Sequence, residues 1–158
     1  MTTLSEDVNR PENRNELFFP TSHDEVILWL TKFAASQDGL DPAETSSVYE
    51  PQATLRFSNY PAIIGADKIE EMVAARFARL SLINHTYRYF DLVGSRLWAV
   101  FDVLYRVKGD LSGEEFLVPA VCVFTLVEHG DHEGKITDLE TFMDQTAVEN
   151  RMKDIIKE

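Results

Sequence analysis

The chain has 158 residues and a mass of 18.0 kDa, is 44% hydrophobic and 27% charged, and sets fifteen Lys and Arg against twenty-seven Asp and Glu for a formal net charge of −12. That length predicts one compact domain able to bury a core without disulfides or metals, and the acidic excess disfavours nucleic acid and anionic membrane surfaces as partners. No apolar run approaches the roughly 20 residues that cross a bilayer, the lone Cys122 cannot form an internal disulfide, and the N-terminus lacks a basic-then-apolar leader, so the expected location is the cytoplasm.

Met1–Asn15 is polar, carries Pro11 and shows neither helical nor alternating periodicity, which predicts a flexible or loosely docked arm over residues 1–20 ahead of a single domain over 21–158. Ser22 followed by Glu25 has capping-box spacing before Val26, Trp29, Leu30 and Phe33, and Gly39 supplies a stop, so a buried first helix is expected here. Asp41-Pro42-Ala43-Glu44 offers a cap, a proline at the first helical position and an acidic first turn, the pattern of a short second helix. Ala53, Leu55 and Phe57 alternate with Thr54 and Arg56 as in a strand, and Asn59-Tyr60-Pro61 turns the chain. Ile69, Met72, Val73, Phe77 and Leu80 then recur at helical spacing, with acids at the start and Arg76 and Arg79 suited to the end.

The remainder reads as β. Asn84–Val93, Leu97–Val107, Glu115–Val127 and Lys135–Thr146 are rich in β-branched and aromatic residues and are separated by turns, predicting an antiparallel meander closed by an amphipathic segment over 147–157. Helices followed by a run of long strands give an α+β domain, a cone-shaped curved sheet wrapped around a long helix with the helices on one face. The open end of such a cone is a natural pocket. With the buried first helix, Tyr60-Pro61, Ile64-Gly65-Ala66-Asp67 and Gly134-Lys135-Ile136-Thr137 leading into Phe142-Met143-Asp144, the stretch from Asp24 to Asn150 resembles the nuclear-transport-factor-2-like (NTF2-like) superfamily. Within it, the resemblance is to the SnoaL-like polyketide cyclase, limonene epoxide hydrolase and scytalone dehydratase relatives. That superfamily contains isomerases, dehydratases, cyclases, hydrolases and non-catalytic proteins, so function has to come from the pocket.

Asp102 is the one acid in the run from Leu97 to Tyr105 and shares a face with Trp98, Val100 and Leu104. If that face is concave, desolvation would suit Asp102 to general acid or base work. If it is convex, Asp102 is a solvated or interfacial residue. The resemblance implies the first, since the position matches a pocket aspartate of limonene epoxide hydrolase, and it pairs Asp102 with His85, which matches a catalytic histidine of scytalone dehydratase. The other reading of His85 is a hydrogen-bonded histidine at a strand start. Tyr60 and Tyr49 are candidates to orient a substrate oxygen or to serve as aromatic lid or core. Trp29, Phe33, Trp98, Val100 and Phe124 either line the cone or fill the core. The arginine and second aspartate of the epoxide hydrolase pattern are replaced by Val100 and Thr141, which speaks against that water-activating chemistry. Asp144 is expected to serve packing or hydrogen bonding, the His129–Glu133 cluster to be a hairpin tip with no metal, and Cys122 to be a buried inert thiol.

Three functions remain in competition. The first is a cofactor-independent enzyme that isomerises, dehydrates or cyclises a hydrophobic, oxygenated, polyketide- or terpenoid-like small molecule by proton transfer, with no cofactor or metal required. The second is a non-catalytic ligand-binding or dimerisation module of the same fold. The third is a small subunit of an oxygenase, a role known in the superfamily. The resemblance also implies a homodimer.

Overall fold

The computed structural model describes residues 17–157. Four helices, α1 (His23–Asp38), α2 (Pro42–Ser46), α3 (Ala66–Phe77) and α4 (Thr146–Lys157), accompany six strands, β1 (Tyr49–Phe57), β2 (Ile63–Ile64), β3 (Leu80–Val93), β4 (Arg96–Val107), β5 (Glu115–Leu126) and β6 (Ile136–Met143). The local signals work as read. The Ser22 hydroxyl accepts the Glu25 N–H at 3.2 Å while Glu25 Oε1 reaches back to the Thr21 N–H at 2.9 Å. Asp41 likewise accepts the Ala43 N–H at 3.0 Å, with Pro42 opening α2. Asp144 caps α4 by accepting from the backbone and hydroxyl of Thr146, which holds its carboxyl below the usual range.

The strands form one curved, unclosed sheet in the order β2-β1-β6-β5-β4-β3. The meander from β3 to β6 is antiparallel, but β1 pairs with β6 in parallel, so the sheet is mixed rather than wholly antiparallel. The reason is connectivity: α3 carries the chain from β1 to the far edge, and the meander runs back until its last strand lies beside β1. Register shifts in β1, β3 and β5 bend the sheet. Leu80, read as the helix end, opens β3 because α3 stops at Phe77 with the Ala78 N–H bonded back to Ala74.

On the concave face α1 buries Val26, Trp29, Leu30 and Phe33, and α3 buries Ile69, Val73 and Phe77. Trp29 and Phe33 stack 5.7 Å apart and meet Phe124 edge-on at 4.9 and 4.8 Å. Burial on this scale is worth roughly 1.5–3 kcal/mol for each large side chain, so this aromatic cluster pins α1 to β4 and β5. Of the predicted arm, residues 1–16 lie outside the described chain. Residues 17–20 do not behave as an arm: Leu17 and Phe19 pack on the core and Pro20 is fully buried.

Gly134 is what lets them dock. It holds a φ of +81°, and a Cβ there would lie 2.5 Å from the Phe18 backbone, while its carbonyl accepts the Trp29 indole N–H at 2.8 Å. Gly94, at φ +61°, has open space around it. Gly134→Ala is therefore expected to lower stability in urea denaturation by about 3 kcal/mol, strain and clash together. Gly94→Ala should cost only about 1 kcal/mol. Equal losses would show that Phe18 is not held against Gly134.

Candidate functional site

Between α1, α3 and the sheet lies a cavity of about 800 Å³, within the size range of small-molecule sites. Its existence follows from side-chain size. Under α1 the sheet presents Phe101 and Phe124, which reach the helix, whereas beside them Val103, Ala120, Cys122 and Thr141 line the cavity with short side chains that cannot. Phe33 and Gln37 of α1 wall one side, Met72, Val73 and Arg76 of α3 another, and α4 brings Glu149, Met152 and Lys153 to the α4 end.

His85 faces this cavity from β3, with 11% of its side chain exposed and its ring edge-on to Phe33 and Phe101 at 6.1 and 5.7 Å. Its partner is Asp38, the last residue of α1. One Asp38 oxygen lies 2.8 Å from His85 Nδ1, and the same carboxylate accepts the His85 backbone N–H at 3.0 and 3.2 Å. An ionised carboxylate only accepts, so Nδ1 is the nitrogen that carries the proton in the neutral ring, which leaves the lone pair to Nε2. Nε2 has no hydrogen-bond partner among the described residues. The arrangement fixes ring orientation and tautomer together, as second partners of functional histidines do.

Asp38 was missed in the sequence, although a signal was there. A carboxylate on the final turn sits at the wrong end of the helix dipole, and α1 has no basic residue in that turn. Such a residue needs a partner from elsewhere.

Asp102 is not in the cavity. The inward face of β4 is Leu97, Ala99, Phe101, Val103, Tyr105 and Val107, all buried, which puts Asp102 with Trp98, Val100 and Leu104 on the convex face. There Asp102, 30% exposed, pairs with Arg88 at 3.5 Å. Trp98 and Val100, expected to line the cone, accordingly lie outside the pocket, and Phe101, Val103 and Tyr105 face in. A one-residue change of phase reverses every side chain of a strand. Trp29 and Phe124 belong to the core beneath α1, and Phe33 alone of the three aromatics proposed near α1 reaches the cavity.

Tyr49 lines the cavity from β1 as a buried residue whose hydroxyl makes no hydrogen bond among the described residues, and burial pushes its ionisation well above the ordinary phenol range. Tyr60 stands at the rim, 52% exposed, donating to Glu149 of α4 at 2.9 Å. Arg76 bonds to Gln145 and lies over the rings of Phe57 and Tyr105 at 5.8 and 5.5 Å. Gln145 in turn donates to the Tyr105 hydroxyl at 3.0 Å. Cys122 is buried at 3.7 Å from the Thr141 hydroxyl, its thiol pushed up to about 12 by desolvation. The His129–Glu133 turn contacts the segment before α1, with Glu133 accepting the Phe19 N–H at 3.2 Å, and no cluster of three metal-ligating side chains occurs among the described residues.

No protein-family model and no curated protein matches the chain. Solved structures do. A protein assigned to the SnoaL-like polyketide cyclases from Jannaschia sp. CCS1 is 16% identical over 80% of this chain and 90% of its own, with a TM-score of 0.64. A hypothetical protein with a ketosteroid isomerase-like fold from Catenulispora acidiphila, solved with trimethylamine, is 17% identical over 72% of this chain and 83% of its own, with a TM-score of 0.60. TerC, co-crystallised with polyporic acid, is 19% identical over 80% and 97%, with a TM-score of 0.62. At these identities the likeness shows the fold, and the chain has the NTF2-like cone.

The buried Tyr49 and Cys122 give the domain an alkaline limit. Unfolded, they ionise near 10 and 9, whereas the folded cavity keeps both neutral. The stability these two groups contribute is therefore fully present below pH 9 and falls as pH rises through 9–10 toward 12. Urea midpoints measured from pH 7 to 11 should decline across that window, and Cys122 should resist a thiol reagent until denaturant is added. A flat profile would place both groups in contact with water.

Proposed function

We propose that the cavity is a cofactor-independent proton-transfer site for a hydrophobic, oxygen-bearing small molecule, with His85 as the acid–base group. The observation that carries this reading is the Asp38–His85 pair, in which Nδ1 is engaged and Nε2 is left unbonded on a residue that lines a largely apolar cavity. Nε2 would take a proton from carbon beside a carbonyl, or from a hydroxyl, and return it to a neighbouring atom. Asp38 steadies the imidazolium that forms in between. The Tyr49 hydroxyl is the donor available to the substrate oxygen, where negative charge develops. Isomerisation, dehydration and cyclisation all need this one capability. Asp102 has no part in it. The SnoaL-like cyclase neighbours and the polyporic acid bound to TerC support an apolar, oxygenated ligand class. A non-catalytic ligand-binding module is the alternative that the following assay would reveal.

Deuterium exchange at the α-carbon of 2-tetralone, followed by NMR in D₂O, provides a substrate-independent test. The wild-type protein should accelerate exchange, and His85→Gln should lower the protein-dependent rate by about 10²-fold or more. Asp38→Asn should lower it by about 10-fold. Asp102→Asn should leave it unchanged. Wild-type exchange no faster than that of His85→Gln would refute the assignment.

The convex face supports a homodimer. Trp98, Val100 and Leu104 of β4 lie beside Leu117 and Val121 of β5 and Phe142 of β6, the last 50% exposed, forming a contiguous apolar patch with the Arg88–Asp102 pair within it. A second copy of the same face would cover it, and Asp102 would then be an interface residue. Sedimentation should give twice the 18.0 kDa chain mass, and Val121→Asp should halve it. A wild-type monomer at micromolar concentration would rule this out.

A further inference from the structure

Charge is distributed unevenly in this molecule. The chain as a whole has twenty-seven acids to fifteen Lys and Arg, yet among the side chains lining the cavity Arg76, Arg79 and Lys153 face the single acid Glu149. Glu149 is engaged by Tyr60. Arg76 is engaged by Gln145 and two aromatic rings. Arg79 is different: it makes no ion pair with any described carboxylate, and its Nη2 is withdrawn from solvent with no hydrogen-bond acceptor. A buried guanidinium N–H without an acceptor is costly, because folding has stripped its water and returned nothing.

We propose that Arg79 is the anchor for an anionic group, a carboxylate or the oxyanion of an acidic enol, on the ligand of this cavity. The proposal rests on the reading of the cavity as the ligand site and names the substrate class it takes. Arg79 sits at the α4 end, where it and Met152 line both the main cavity and the small groove beneath α4. His85 is six residues further along, up to roughly 20 Å of extended chain. Both residues line the same cavity, which leaves room for an elongated apolar body between an anionic head at Arg79 and the atom that exchanges its proton at His85. A guanidinium fork offers a planar anion directional recognition, which a single lysine charge would not.

The test compares biphenyl-4-carboxylate with biphenyl-4-carboxamide, equal in shape and different in charge, by calorimetric titration of the intact protein. The acid should bind at least tenfold more tightly. Arg79→Gln should bring the acid to the level of the amide and leave the amide unchanged, and His85→Gln should preserve the preference. Binding is read without turnover, so loss of the proton-transfer reading leaves this result standing. Equal affinities in the wild type, binding of neither compound, or equal weakening of both by Arg79→Gln would each overturn it. Should the Gln variant fail to fold, Arg79→Lys keeps the charge without the fork and is expected to reduce the acid-to-amide ratio. An unchanged ratio would overturn the proposal.

Discussion

One carboxylate, Asp38, ties the architecture to the chemistry. β3 is an edge strand, so the N–H groups on its outer side have no strand to bond. Asp38 takes one of them, that of His85, and the His85 ring with it. The bond fastens the end of α1 to the far edge of the sheet, and the same atoms set the tautomer of the cavity's histidine. The fold and the setting of the ring cannot be altered separately here, since removing the carboxylate strands a backbone donor as well as freeing the ring. The helix must therefore end where it does, and Gly39 and the left-handed Leu40 turn the chain away immediately after Asp38.

What could be read in the sequence was what depends on near neighbours. The Ser22–Glu25 box, the Asp41-Pro42 start and the helical spacing of Ile69, Val73 and Phe77 each rest on groups within a turn of one another, and each forms as read. The strands of the meander were legible for the same reason. The parallel pairing of β1 with β6 was not, because it joins residues more than eighty positions apart and leaves no local pattern. The two-residue β2 is too short to have a period.

The site was legible in its histidine and not in its acid. Strand periodicity says which residues share a face but not which face is concave, and β4 carries apolar residues on both. Trp98, Val100 and Leu104 alternate with Leu97, Phe101 and Val103, so hydrophobicity could not break the tie and a lone acid looked like the exception that would. Its neighbour gave the answer: Asp102 stands opposite Thr86 and pairs with Arg88, while the next pair, His85 with Val103, faces in. Asp38 and His85 are forty-seven residues apart in sequence, and no spacing rule connects them.

The charge pattern bears on how an anion would reach the cavity. A net charge of −12 repels an anionic ligand at long range, but at physiological ionic strength the field fades over about 8 Å. Steering therefore works weakly against association. Inside the cavity the balance reverses, because three basic side chains line it against one acid and its largely apolar walls weaken screening of Arg79. Selection for charge then acts after entry, at a desolvated contact, and selection for shape acts through the short side chains of Val103, Ala120, Cys122 and Thr141 that leave the space open. Enlarging Val103 or Ala120 would shrink the cavity without touching a polar group, which makes the volume of the cavity variable independently of its polar groups.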